Sequence, residues 1–147
     1  MKEKFKKHIK DNQLFDKNEK MLLAISGGVD SVALAQLLKR ENYTFSFAHC
    51  NFTLRAEESD NDEVFVKNLA NELGVKCFVN NFDTNKYASE KKISTQMAAR
   101  ELRYNWFEKI REENSFDYIL TAHHKDDEIE TFLINLIRGT GIRGMLG

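Results

Sequence analysis

The sequence has no proline, only two cysteines and almost no net charge. Each absence narrows the field. Cys50 and Cys77 form no CxxC pair, and the charged start Met1–Lys10 lacks the pattern of a secretory signal, so the chain reads as cytoplasmic with reduced thiols. No apolar run approaches the roughly 20 residues of a spanning helix, and no segment is of low complexity, so no membrane partner is expected. A formal charge of −1 gives no global basicity for nucleic acid; any RNA contact has to come from a local patch. The missing proline carries no functional reading.

What is present suits one globular domain: 147 residues, 41% of them hydrophobic, enough to bury a real core. Lys20–Ile25 reads as a first strand and Ser31–Arg40 as a helix packed on a sheet. Thr44–Cys50 follows as a strand in which Phe45 and Phe47 alternate with smaller residues. Glu57–Leu73 carries Val66, Leu69, Ala70 and Leu73 at the spacing of a buried helical stripe, with Gly74 as its stop. Val75–Val79 is the third strand and Asn80–Lys92 a polar connection. A long helix is expected from Ser94 to about Glu113, burying Ala98, Ala99, Leu102, Trp106 and Ile110. Asp117–Ala122 is the fourth strand, and a last helix carries Ile129, Phe132, Leu133, Leu136 and Ile137. The alternation predicts an α/β fold, a three-layer, doubly wound parallel sheet covered on both faces.

Ligands in such sheets collect beyond the carboxyl ends of the strands. Three unusual polar clusters share that address: Ser26–Ser31, His49–Arg55 and His123–Asp127. Ser26, Gly27, Gly28, Val29, Asp30 and Ser31 form a glycine-rich strand-to-helix turn able to cradle phosphate against a helix N-terminus. The turn lacks the lysine and spacing of a Walker A motif and is no GxGxxG, and on spacing alone tight packing explains it equally well. His123 and His124 are adjacent at a strand end with no third ligand spaced for zinc. Asp126 suits a helix cap, which leaves Asp127 as the site carboxylate. Arg100 and Arg103 fall with Gln96 on one helical face, which is either a solvated surface or a pair of guanidinium groups placed for phosphate. Cys50 reads as a small buried hydrophobe.

SGGVDS resembles the signature of the PP-loop ATP pyrophosphatases, which bind ATP, adenylate an oxygen and release pyrophosphate. The run Thr121–Thr131 (TAHHKDDEIET), together with Ala48–Arg55 (AHCNFTLR), the EESDNDE behind it, Gln96–Tyr104 (QMAARELRY) and Ile137–Gly147 (IRGTGIRGMLG), is similar to the tRNA(Ile)-lysidine synthases. Phe52 and Thr53 depart from that pattern, standing where many relatives have His-Gly; His49 and Arg55 remain as the polar groups carried over from that segment. The resemblance implies a PP-loop fold and a ligase that adenylates C2 of the wobble cytidine of an isoleucine tRNA with a CAU anticodon and joins L-lysine to it, forming lysidine with release of AMP and pyrophosphate. It implies ATP and Mg²⁺ as cofactors. Ser26, Gly27, Gly28, Val29, Asp30, Ser31 and His49 would bind the nucleotide, with Asp30 near the metal. Asp30, Arg100, Arg103, His123, His124 and Asp127 would be catalytic, with Arg138 and Arg143 as possible backbone contacts. A homodimer is a further candidate assembly. Because the family carries C-terminal tRNA-recognition domains beyond this region, residues 1–147 are expected to be an excised catalytic domain that binds ATP and modifies tRNA poorly. A tRNA-thiolating PP-loop enzyme and a non-catalytic ATP sensor are the alternatives.

Overall fold

A computed structural model describes residues 16–54, 57–125 and 128–137, with isolated positions 7 and 10, and describes side chains as far as Ala122. The elements run β1 (Lys20–Ala24), α1 (Val29–Arg40), β2 (Thr44–Asn51), α2 (Glu57–Leu73), β3 (Cys77–Asn81), α3 (Thr84–Lys91), α4 (Thr95–Glu113), β4 (Tyr118–Lys125) and β5 (Glu128–Ile137). They build one sheet of order β3-β2-β1-β4-β5. The first four strands are mutually parallel, and β5 adds an antiparallel edge beside β4.

From β1 the chain builds outward through β2 and β3, then returns to lay β4 on the other side of β1. That reversal leaves a crevice at the carboxyl edge between β1 and its two neighbours, where open parallel sheets bind ligands. Alternation along the strands assigns side chains to two faces. Met21 and Leu23 pack with Phe45 and Phe47 against Leu34 and Leu38 of α1 and Val66 and Leu69 of α2. Leu22, Ala48 and Ile119 pack on the opposite face against Tyr104, Phe107 and Ile110 of α4. No helix among the described residues is long and apolar enough to cross a membrane.

Two elements differ from the sequence expectation. The polar connection Asn80–Lys92 contains α3, started by Asp83, whose carboxylate accepts from the Lys86 N–H, and ended by Lys92 in the left-handed region at φ 57°. The segment expected as the last helix is strand β5. Its apolar positions fit either element, since a short apolar run does not distinguish them by period, and Ile129, Thr131, Phe132, Ile134 and Ile137 are residue types that favour strands. In α4 the buried positions are Ala98, Tyr104, Phe107 and Ile110; Ala99, Leu102 and Trp106 of the expected stripe are only half-buried.

Candidate nucleotide site

The turn from β1 into α1 is built by its glycines and serines. Gly27 sits at φ +92°, a conformation that side chains rarely adopt, and a Cβ there would meet only ordinary contacts, the nearest at 3.7 Å. Backbone conformation, and not lack of room, calls for glycine at this point. Gly28 is the N-cap of α1 in extended conformation, with no side-chain cap bond, so the first N–H groups of α1 receive no capping oxygen from it. Two serines lace the turn. Ser31 Oγ accepts from the Ser26 N–H at 3.3 Å and donates to Gly28 O at 3.2 Å, and Ser26 Oγ accepts from the Gly28 N–H at 3.2 Å. Ser31 is buried while Ser26 and Gly28 face solvent, so one serine holds the loop and the other stands at its open side. Asp30 lies in the first turn of α1.

His49 enters from the neighbouring strand. Its ring is buried, and Nδ1–H donates to Ile25 O at 2.7 Å. This pins the peptide that leads into the turn and, in the neutral ring, leaves Nε2 as the lone-pair nitrogen. Nε2 has no partner among the described residues.

A cavity of about 300 Å³ opens beside the turn on the α4 face. Its floor is Ala24, Ala48 and Cys50, its walls Tyr104 and Phe107, and its rim Ser26, Phe52, Arg103 and Thr121. Burial pushes the Cys50 thiol up to about 12, opposed by the nearby Arg103 charge, so the thiol stays protonated at neutral pH. A second, smaller hollow of about 210 Å³ lies across β2, between His49, Asn51, Ser59 and Asp62, and Phe52 borders both.

The two arginines are parted. Arg103 lies over the Phe52 ring at 5.4 Å and reaches the cavity, whereas Arg100, exposed, lies over Tyr104 at 5.8 Å and does not line it. His123 and His124 fall at the carboxyl end of β4, opposite Leu133 and Phe132 of β5, the same sheet edge as the turn; their side chains, and Arg55, Asp126, Asp127, Arg138 and Arg143 altogether, lie outside the described residues. The sequence did not single out Phe52, Cys50 or Thr121 as site residues. The alternation of β2 was the available signal for Cys50, which shares a face with Ala48.

Among the described residues no three His, Cys, Asp or Glu side chains gather as a metal cage. Mg²⁺ asks for less, since one or two carboxylates complete its shell with substrate phosphates and water. Asp30, in the first turn of α1, is the carboxylate of the turn itself.

A family model described as a PP-loop domain matches residues 1–147. The tRNA(Ile)-lysidine synthase of Bacteroides thetaiotaomicron is 54% identical over 96% of this chain and 33% of its own length, and that of Clostridium perfringens 42% identical over 100% and 32%. The chain thus spans about a third of these curated relatives. Among solved structures, the NH3-dependent NAD synthetase from Campylobacter jejuni superposes with a TM-score of 0.60 at 16% identity, covering 80% of this chain and 53% of that one. That likeness concerns the fold alone.

Proposed function

The chain belongs to the PP-loop domain family, and from that premise we propose that it binds ATP at the Ser26–Ser31 turn and carries the nucleotide-activating step of a tRNA(Ile)-lysidine synthase. The observation that carries this reading is the serine-laced turn of α1 opening onto the apolar-walled cavity of about 300 Å³. Purine and ribose suit the cavity between Ala24, Ala48 and Phe107, and the phosphates suit the N–H groups of the turn and of α1. Bound ATP supplies an activated α-phosphate and pyrophosphate as leaving group.

The chain's own groups do the rest. Gly27 and Gly28 let the backbone approach the phosphates, and the dipole of α1 favours the negative charge that accumulates on the leaving group. Asp30, in the first turn of α1, would hold Mg²⁺ together with the phosphates. Arg103, at the rim, neutralises phosphate oxygens. By resemblance to its relatives, the acceptor is the C2 oxygen of the wobble cytidine of an isoleucine tRNA with a CAU anticodon; L-lysine then displaces AMP. His123, His124 and Asp127 stay candidates for orienting that base, and Arg100 for the RNA strand.

The test is release of pyrophosphate from ATP by the protein with and without isoleucine tRNA, with ATP binding measured in parallel. Binding together with tRNA-dependent release is expected, and Asp30→Ala should abolish release. Tight binding with no release at any tRNA concentration would favour a nucleotide sensor instead, and intact release in Asp30→Ala would remove Asp30 from the mechanism.

A further inference from the structure

We propose that Phe52 is the positioning residue of Arg103: its ring holds the guanidinium at the cavity rim in place of a carboxylate, keeping the charge uncompensated for a nucleotide phosphate. The inference rests on the nucleotide reading above and adds a residue to it.

Arg103 is half-buried, and a guanidinium in such a setting is well suited to pair bidentately with a carboxylate. No carboxylate among the described residues is paired with it; its contact is the Phe52 ring, 5.4 Å from Cζ to the ring centroid. A carboxylate would occupy the forked N–H donors and cancel the charge. A ring face attracts the cation and accepts none of those in-plane donors, which leaves the fork for two oxygens of a phosphate.

The ring itself is held from several directions. Phe52 stacks on Phe82 with centroids 5.8 Å apart, and Phe82 meets Trp106 of α4 edge-on at 6.0 Å. Its carbonyl accepts from Thr84 Oγ1 at 2.8 Å. On either side the backbone is strapped. Asn51, fully buried, donates to Asp60 and Glu63 of α2 and accepts from the Thr53 N–H at 2.9 Å. Thr53 is forced to φ +53°, a costly place for a β-branched residue, and its hydroxyl donates to Phe82 O at 2.7 Å.

The proposal is tested with Phe52→Leu, which keeps bulk and removes the ring, Phe52→Tyr, which keeps the ring, and Arg103→Ala, read by ATP affinity in calorimetry. Phe52→Leu should weaken ATP roughly fivefold and Phe52→Tyr less than about twofold, in proportion to a cation–π contact. Arg103→Ala should weaken it roughly thirtyfold, as for a lost charged hydrogen bond. In the Arg103→Ala background, Phe52→Leu should change nothing further. Losses that multiply in the double variant, or a Phe52→Leu protein that binds like wild type, would overturn the inference. A second readout needs no ATP: the Arg103 side-chain protons should show a ring-current shift in wild type and Phe52→Tyr that disappears in Phe52→Leu, and a shift that survives in Phe52→Leu also overturns it. If wild type kept that shift yet bound no ATP, the nucleotide reading would fall, and with it the phosphate role given to Arg103.

Discussion

The two faces of the sheet are unequal, and the inequality is set by side-chain size at alternate strand positions. On the α1/α2 face the strands present Met21, Leu23, Phe45 and Phe47, and all but Phe45 of these have no exposed surface. On the α4 face, toward the carboxyl ends, the same strands present Ala24, Ala48 and Cys50, and β4 contributes Thr121. Large residues close the first face; small ones leave the second open by about 300 Å³. The backbone is shared, so a one-residue shift of register would exchange a core for a cavity. Both faces carry core, and only the α4 face leaves room for a ligand at its carboxyl edge.

This contrast is breakable from either side. Phe47→Ala strikes the closed face and should destabilise the protein by about 3–5 kcal/mol in urea unfolding. Ala24→Leu strikes the open face: it fills space and should lower ATP affinity more than about tenfold, while the unfolding free energy changes by less than about 1.5 kcal/mol. A large stability loss in Ala24→Leu would mean that the cavity is tightly packed core. The smallest effect belongs to the surface pair on α2. A hydrogen bond from Lys67, 2.9 Å away, is the main cause that holds the Glu63 carboxyl below the usual range, with a lesser contribution from Asn51. Because the folded pKa lies below the unfolded one, the associated stability is complete above the unfolded value and is lost as pH falls through the folded value. Lys67→Met should therefore cost a few tenths of a kcal/mol at pH 7, as typical for a helical pair four residues apart, and nearly nothing once Glu63 is protonated. An equal cost at both pH values would assign the loss to packing.

Much of this arrangement is legible in the residues themselves. Helix α2 announces itself by Val66, Leu69, Ala70 and Leu73 and by Gly74, which takes φ +67°, and the structure has the helix over the expected range, Glu57–Leu73. The glycine turn is equally plain, because its chemistry is local. Helix α3 escaped notice because its eight residues are mostly polar and only Thr84 and Ala88 are buried, too few to set a period. Strand β5 escaped because its apolar spacing suits a helix as well. Arg103 and Phe52 show a different limit. Helical spacing groups Arg103 with Arg100, yet the structure parts them, and the ring that lies under Arg103 at the cavity comes from the end of β2, distant in the chain order. Contacts between distant segments carry no local signature.

The most direct test of the account is a crystal structure of the protein with a non-hydrolysable ATP analogue. The account predicts the purine between Ala24, Ala48 and Phe107, the phosphates at the Ser26–Ser31 turn, and the Arg103 guanidinium on a phosphate oxygen while still over Phe52. An analogue bound at the smaller hollow beside His49 and Asp62, or phosphates turned away from the glycine turn, would contradict it.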